Sequence, residues 1–188
     1  MSAINIPDLA FGLLVTTSKG SKQLPALYKD GSSVSWQPDA MEIPFEPSAF
    51  QDPEANRVTL CMTPSSAVSE TIAAIDAWCV QTITANCSPL LGIALTPEQI
   101  TERYTSCIKT SDKGYKTLRV KMNKSGRYAL QCFNSEKERC SHPDTWRGST
   151  IRPQLVFKGL WLMGKDMGAL IECTACIVQE PADNECPL

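Results

Sequence analysis

Between residues 63 and 87 the chain reads "TPSSAVSETIAAIDAWCVQTITANC", with Val68, Ile72, Ile75, Cys79 and Ile83 recurring at spacings of three and four. That spacing lays an apolar stripe along one face of a helix. Thr63 is placed to cap it, and Pro64 suits the first turn, where a missing N–H costs nothing. The segments on either side alternate with period two instead. A helical pattern enclosed by strand patterns points to an α+β domain with the helix interrupting a sheet.

The strand signals before the helix are "FGLLVTT", "SVSWQ" and "RVTLCM", separated by proline-rich connections such as "IPFEPSAFQDPEAN". A second helix opens at "TPEQITERYTSCIKT", where Thr96 and Gln99 form a capping-box signature and Ile100, Tyr104, Cys107 and Ile108 form the apolar stripe. Lys109 then falls in its last turn, as the helix dipole favours. Everything beyond reads as β. "YKTLRVKMNKSGRYALQCF", from Tyr115 to Phe133, is expected to be a hairpin turning at "NKSG". Leu118, Val120, Met122, Tyr128, Leu130 and Cys132 would face its core and the basic residues solvent. After a loop, "LVFKGLWLM" and "ALIECTACIVQE" form a second hairpin through "GKDMG". The expected architecture is an OB-like antiparallel β-barrel with two inserted helices, spanning residues 1–180 and followed by a short acidic tail, 181–188.

Charge is where function shows. The whole chain has a formal net charge of −2, but its parts differ: residues 1–108 carry 5 basic and 11 acidic side chains, residues 109–165 carry 13 and 4, and residues 166–188 carry 0 and 5. The balance runs −6, +9, −5. A bound polyanion responds to charge within a Debye length, so the local excess outweighs the global deficit. Lys113, Lys116, Arg119, Lys121, Lys124 and Arg127 are candidates to hold phosphates, with Arg147, Arg152 and Lys158 extending the path. Tyr115, Phe133 and Trp146 are candidates to stack on bases. A basic alternating strand also serves to keep a sheet edge from aggregating. Nine positive charges in excess over 57 positions go beyond that need.

Other chemistry finds little footing. The one histidine, His142, lies in the polar turn "CSHPD" beside Asp144, so a nucleophile–base pair would rest on it alone. There is no phosphate-binding glycine loop, dinucleotide fingerprint or metal-binding histidine pair, and the expectation is a non-enzymatic protein without cofactor. "CTAC" at Cys173 to Cys176 has zinc-ligand spacing, and Cys140 with His142 could complete four ligands. In a period-two strand, however, those two cysteines should point to opposite faces, so no metal is expected. An odd number of cysteines, nine, without a regular framework fits reduced thiols in the core of an intracellular protein. The apolar patch Leu9–Val15 lacks the flank and length of a signal peptide, and no segment reaches membrane-spanning length.

The succession "PFEPSAFQDPEANRVTLCM", "IDAW", "TPEQITERYTSCIK", "YKTLRVKM" and "RPQLVFKGLWLMGKDMGALIECTACIVQ" resembles the single-stranded-DNA-binding proteins of large eukaryotic DNA viruses, which are related to OB-fold single-strand binders of tailed bacteriophages. The resemblance runs from about Phe45 to Gln179. It implies an OB-fold, single-stranded DNA on the basic face, a role in replication or recombination of a viral or mobile-element genome, and a nuclear or viral-replication location. That family commonly ends in an acidic tail with a terminal aromatic, through which replication proteins dock. Here the end, "QEPADNECPL", is acidic but has no aromatic. The residues leave open RNA as the ligand, an acidic protein partner docked on the basic hairpin, and a homo-oligomer.

Overall fold

The computed structural model describes residues 4–17, 20–49 and 52–179. Its strands and helices are, in chain order, β1 (Leu9–Phe11), β2 (Val15–Thr16), β3 (Lys22–Tyr28), β4 (Val34–Trp36), β5 (Met41–Glu42), β6 (Arg57–Met62), α1 (Ser66–Leu91), α2 (Pro97–Arg103), β7 (Tyr104–Thr105), β8 (Ile108–Thr110), β9 (Lys116–Asn123), β10 (Gln131–Phe133), β11 (Arg139–Cys140), β12 (Thr150–Met163) and β13 (Asp166–Gln179). The protein is α+β, and both helices fall between β6 and β7, as the change of hydrophobic period requires.

The expected all-antiparallel pairing is corrected to a mixed sheet, which the structure does not show closed into a barrel. Thirteen strands join into one sheet: six follow the path β1-β3-β12-β13-β10-β11, the other seven pair off it, and among the described residues no pairing joins the ends of that path. The long hairpin β12/β13 is its spine, with register from Thr150↔Gln179 to Met163↔Asp166. β13 accepts β7, β9 and β10 in parallel, which introduces the mixed character. β6 runs antiparallel to β9 from Arg57↔Asn123 to Met62↔Leu118.

The expected hairpin over Tyr115–Phe133 does not form. β9 has no edge left for a strand folding back after "NKSG": Leu118 is paired with both Met62 and Ile108, and Lys121 with both Thr59 and Glu172. Asn56 fixes the departing chain, its Oδ1 accepting from the Ser125 backbone N–H at 2.7 Å. The chain then crosses to β13, where Gln131, Cys132 and Phe133 lie beside Ala175, Cys176 and Ile177. β9 finds its antiparallel hairpin partner upstream in β8, across a turn with Gly114 at φ 83°. Lys109 therefore stands on a strand, because α2 stops at Arg103; the capping box of Thr96 and Gln99 is present as expected. The foreseen loop before residue 155 also holds β11 and the first part of β12.

α1 carries the stripe read from the sequence, Val68, Ile72, Ile75, Cys79 and Ile83 all being buried, and extends it through Cys87 and Leu91. Its cap is Ser65 rather than Thr63, with Ser65 Oγ accepting from the Val68 N–H at 3.3 Å. Pro89 lies inside the helix, and Asn86 beside its i−4 carbonyl leaves helical geometry, as the proline ring dictates. Trp78 fastens α1 to the sheet between Phe11 (4.5 Å between centroids) and Phe157 (6.2 Å). Asp76 adds a polar clamp, accepting from Tyr104 Oη and Ser106 Oγ, both at 2.6 Å. Burial pushes the Asp76 carboxyl above its ordinary value, against the pull of those two hydroxyls.

Candidate nucleic-acid interface

Alternation sets the face of every strand around the spine. On β6 and β9, Val58, Leu60, Met62, Leu118, Val120 and Met122 are buried, so Arg57, Thr59, Cys61, Arg119, Lys121 and Asn123 fall on the opposite face. Pairing brings Thr59 beside Lys121 and Cys61 beside Arg119. On β12 and β13 the same outward face presents Trp161 across from Gly168, Gln154 across from Ala175, and Arg152 across from Ile177. β10 adds Gln131 and Phe133 next to Ala175 and Ile177. One continuous outer face thus carries cations, amides and aromatic rings.

Three cavities follow one another along it. The first, about 460 Å³, is bordered by the cations Arg57, Lys109, Arg119 and Lys121 and by Trp161. The second, also about 460 Å³, shares Arg57 and adds Arg127, Lys158, Tyr128 and Glu172. The third, about 380 Å³, is bordered by Phe133, Lys137, Gln154 and Ile177. Lys121 donates from Nζ to Thr59 Oγ1 at 2.8 Å. Burial first, and the charge of Arg57 second, pull its ammonium below the usual lysine value. A cation held partly out of water and beside another cation gains strongly from an arriving anion. Glu172 interrupts the positive path, forming an ion pair through Oε1 with Nη2 of Arg57.

Gly168 shapes the first cavity. A Cβ there would lie 2.9 Å from the Trp161 ring and 2.4 Å from the Thr105 carbonyl oxygen, so only glycine lets the indole lie down against β13. The ring is thereby fixed on the floor and only partly exposed.

The residues singled out from the sequence are only partly brought together on this face. Arg119, Lys121, Arg127, Lys158 and Phe133 border the three cavities, and Arg152 shares the face through its pairing with Ile177. Lys113, Tyr115 and Lys116 cluster at the β8/β9 turn, beyond the cavities, with Tyr115 72% exposed. Lys124 belongs to the Asn56 turn, where its Nζ is 3.4 Å from the Pro53 carbonyl. Arg147 sits in the loop before β12, its backbone N–H donating to Glu46 at 2.8 Å. Trp146 must be corrected as a stacking surface: only 6% exposed, it packs edge-on against His142 in the core. Tyr128 is corrected in the other direction. Expected in the core, it is 76% exposed with the Arg127 guanidinium 5.7 Å from its ring centre, because residues before β10 belong to no hairpin.

Sequence reasoning missed Arg57, Lys109 and Trp161. Arg57 was legible, since it alternates with buried Val58 at the start of "RVTLCM", but it lies outside the basic block. Lys109 was hidden by the overlong second helix. Nothing in "GLWLM" distinguishes an outward tryptophan from an inward one until the β-bulge between Phe157 and Gly159 is known.

The cysteines also need correction. Cys173 and Cys176 both point inward, because a register shift between Gln154 and Leu155 leaves Thr174 unpaired and adds one residue to the alternation. Cys132 Sγ comes within 3.7 Å of Cys176 Sγ, and burial pushes the Cys173 thiol up. His142 donates from Nε2 to the Leu130 carbonyl at 2.8 Å, which occupies that nitrogen. Among the described residues no group of three or more His, Cys, Asp or Glu side chains is arranged to hold a metal ion, and no helix is long and apolar enough to cross a membrane.

No family model matches the sequence, and no curated protein matches it. Solved structures do match in fold. One is the single-stranded DNA-binding protein from bacteriophage Enc34 in complex with ssDNA, with a TM-score of 0.53 and 12% identity over 91% of this chain and 96% of that one. Another is gp2.5, a single-stranded DNA binding protein encoded by bacteriophage T7, with a TM-score of 0.53 and 12% identity over 80% of this chain and 88% of that one. At such identity the likeness concerns the fold: two helices and a large mixed sheet in the same arrangement. Both are bacteriophage proteins, the second of the two groups in the resemblance drawn from the sequence.

Proposed function

We propose that the chain is a non-enzymatic single-stranded-DNA-binding protein, largely indifferent to sequence, that acts in replication or recombination of a viral or mobile-element genome. The observation that carries this reading is the convergence of Arg57, Lys109, Arg119 and Lys121 on one cavity floored by Trp161. A single strand presents phosphates and bases together. Lys109, Arg119 and Lys121, with Arg57 shared with Glu172, neutralise phosphates and release counterions, while an indole held flat offers a surface for any base. The cavity continues past Arg127, Lys158 and Tyr128 to Phe133, so the same combination is repeated along the face. A rigid duplex cannot press its stacked bases on recessed rings. The similar fold of a phage protein solved with ssDNA supports the same reading.

Fluorescence anisotropy with single-stranded DNA, duplex DNA and RNA of equal length tests it. The expected result is tightest binding to single-stranded DNA, with affinity rising with strand length and falling with salt. Equal or tighter binding to duplex would refute the stacking element, tighter binding to RNA would reassign the ligand, and no binding to any of the three would refute the function.

A further inference from the structure

A carboxylate at the centre of a phosphate path needs an explanation. Glu172 lies on β13 directly beside Lys121 of β9, only 16% of its side chain is exposed, and it borders the second cavity. Arg57 engages Oε1 through Nη2. A carboxylate offers about four lone-pair sites, so Glu172 remains an acceptor beside Arg57, and its charge repels a phosphate arriving at the same point. Cations stand on both sides, Arg119 and Lys121 towards the first cavity, Arg127 and Lys158 in the second. A strand held by both sets is anchored by its phosphates on either side of Glu172, and what meets the carboxylate is a base.

We infer, on the reading of this face as a single-strand path, that Glu172 and the amides of Asn123 and Gln131 form a nucleobase subsite selecting a base with an exocyclic amino group. A carboxylate accepts from the N4 amino group of cytosine; a 4-keto base places its own acceptor there, and two acceptors repel. Asn123 and Gln131 border the same cavity; Asn123 Nδ2 donates one N–H to the Tyr128 carbonyl at 3.2 Å, which leaves its Oδ1 and second N–H, and the Gln131 amide donates and accepts, so together they can meet the remaining polar atoms of the base edge. Tyr128 stands at the rim with its ring exposed. The phosphate path stays indifferent to sequence, and one position along it is not.

Cytosine and uracil differ only at N3 and C4, so oligodeoxycytidine and oligodeoxyuridine of equal length isolate the effect. Full-length protein should bind the cytosine strand about tenfold more tightly, the scale of one charge-assisted hydrogen bond. Glu172→Gln removes the repulsion of a 4-keto base and weakens the bond to the cytosine amino group, and because the amide accepts and donates equally well the preference should collapse to within about twofold. The comparison in the unmodified protein stands whether or not the variant folds. Equal binding of the two strands would overturn the subsite and leave the single-strand function intact, as would a cytosine preference that survives in folded Glu172→Gln. Binding of neither strand would instead overturn the underlying function.

Discussion

Removing three cations from the outer face gives a loss that can be worked out beforehand. Arg119→Ala and Arg127→Ala delete exposed guanidinium groups, while Lys121→Met keeps the partly buried stem and removes only the charge beside Thr59. The buried neighbours Leu118, Val120 and Met122 point the other way, so the core is untouched. Each phosphate contact on a single strand contributes about 0.7 to the slope of log affinity against log salt, so three lost contacts flatten it by about 2. The same relation makes the loss about a hundredfold near 0.1 M salt and about thirtyfold near 0.2 M. Anisotropy titrations of single-stranded DNA over a range of salt read both quantities, with circular dichroism confirming the fold. A folded triple variant with an unchanged slope would remove this face from the binding account.

Three further perturbations have definite outcomes. Gly159→Ala places a Cβ 2.0 Å from the Leu24 carbonyl oxygen at φ +121°, so β3 must separate from β12 and thermal melts should show a loss of about 3 kcal/mol or more. Asp76 has its carboxyl raised by burial, so the stability it lends is complete at acid pH and is lost as pH rises through that raised value. The melting temperature of Asp76→Asn relative to the parent should accordingly climb from pH 4 towards neutrality, and a constant difference would refute the burial cost. Residues 181–188 lie outside the described residues, but Asp183 and Glu185 make them anionic. Deleting them should tighten strand binding at low salt and change little at high salt, and equal affinities at low salt would exclude competition by the tail.

The sequence made the fold class and the helix stripe legible because period and burial are local properties. α1 buries the foreseen positions, and β12/β13 pair as foreseen. Strand partners were not legible, since they depend on which edges are already taken: β9 is filled on both sides, and β10 is diverted to β13. β3 was hidden by Pro25, which a strand tolerates here opposite Gly159, at the bulge where the ladder is already interrupted. The site divides in the same way. Cations on β9 could be assigned to an outward face by alternation, whereas Trp146 and Tyr128 exchanged roles because loop residues obey no period, and the bulge at Thr174 turned Cys173 and Cys176 to one side.

Lysine footprinting with an acylating reagent, with and without single-stranded DNA, locates the bound strand on the protein. Lys109, Lys121 and Lys158 border the cavities, while Lys29 lies apart beside Asp8 and Asp30. Bound strand should protect the first three from modification and leave Lys29 as reactive as before. Protection of Lys29 with continued reactivity of Lys109, Lys121 and Lys158 would place the strand elsewhere on the protein and contradict the account.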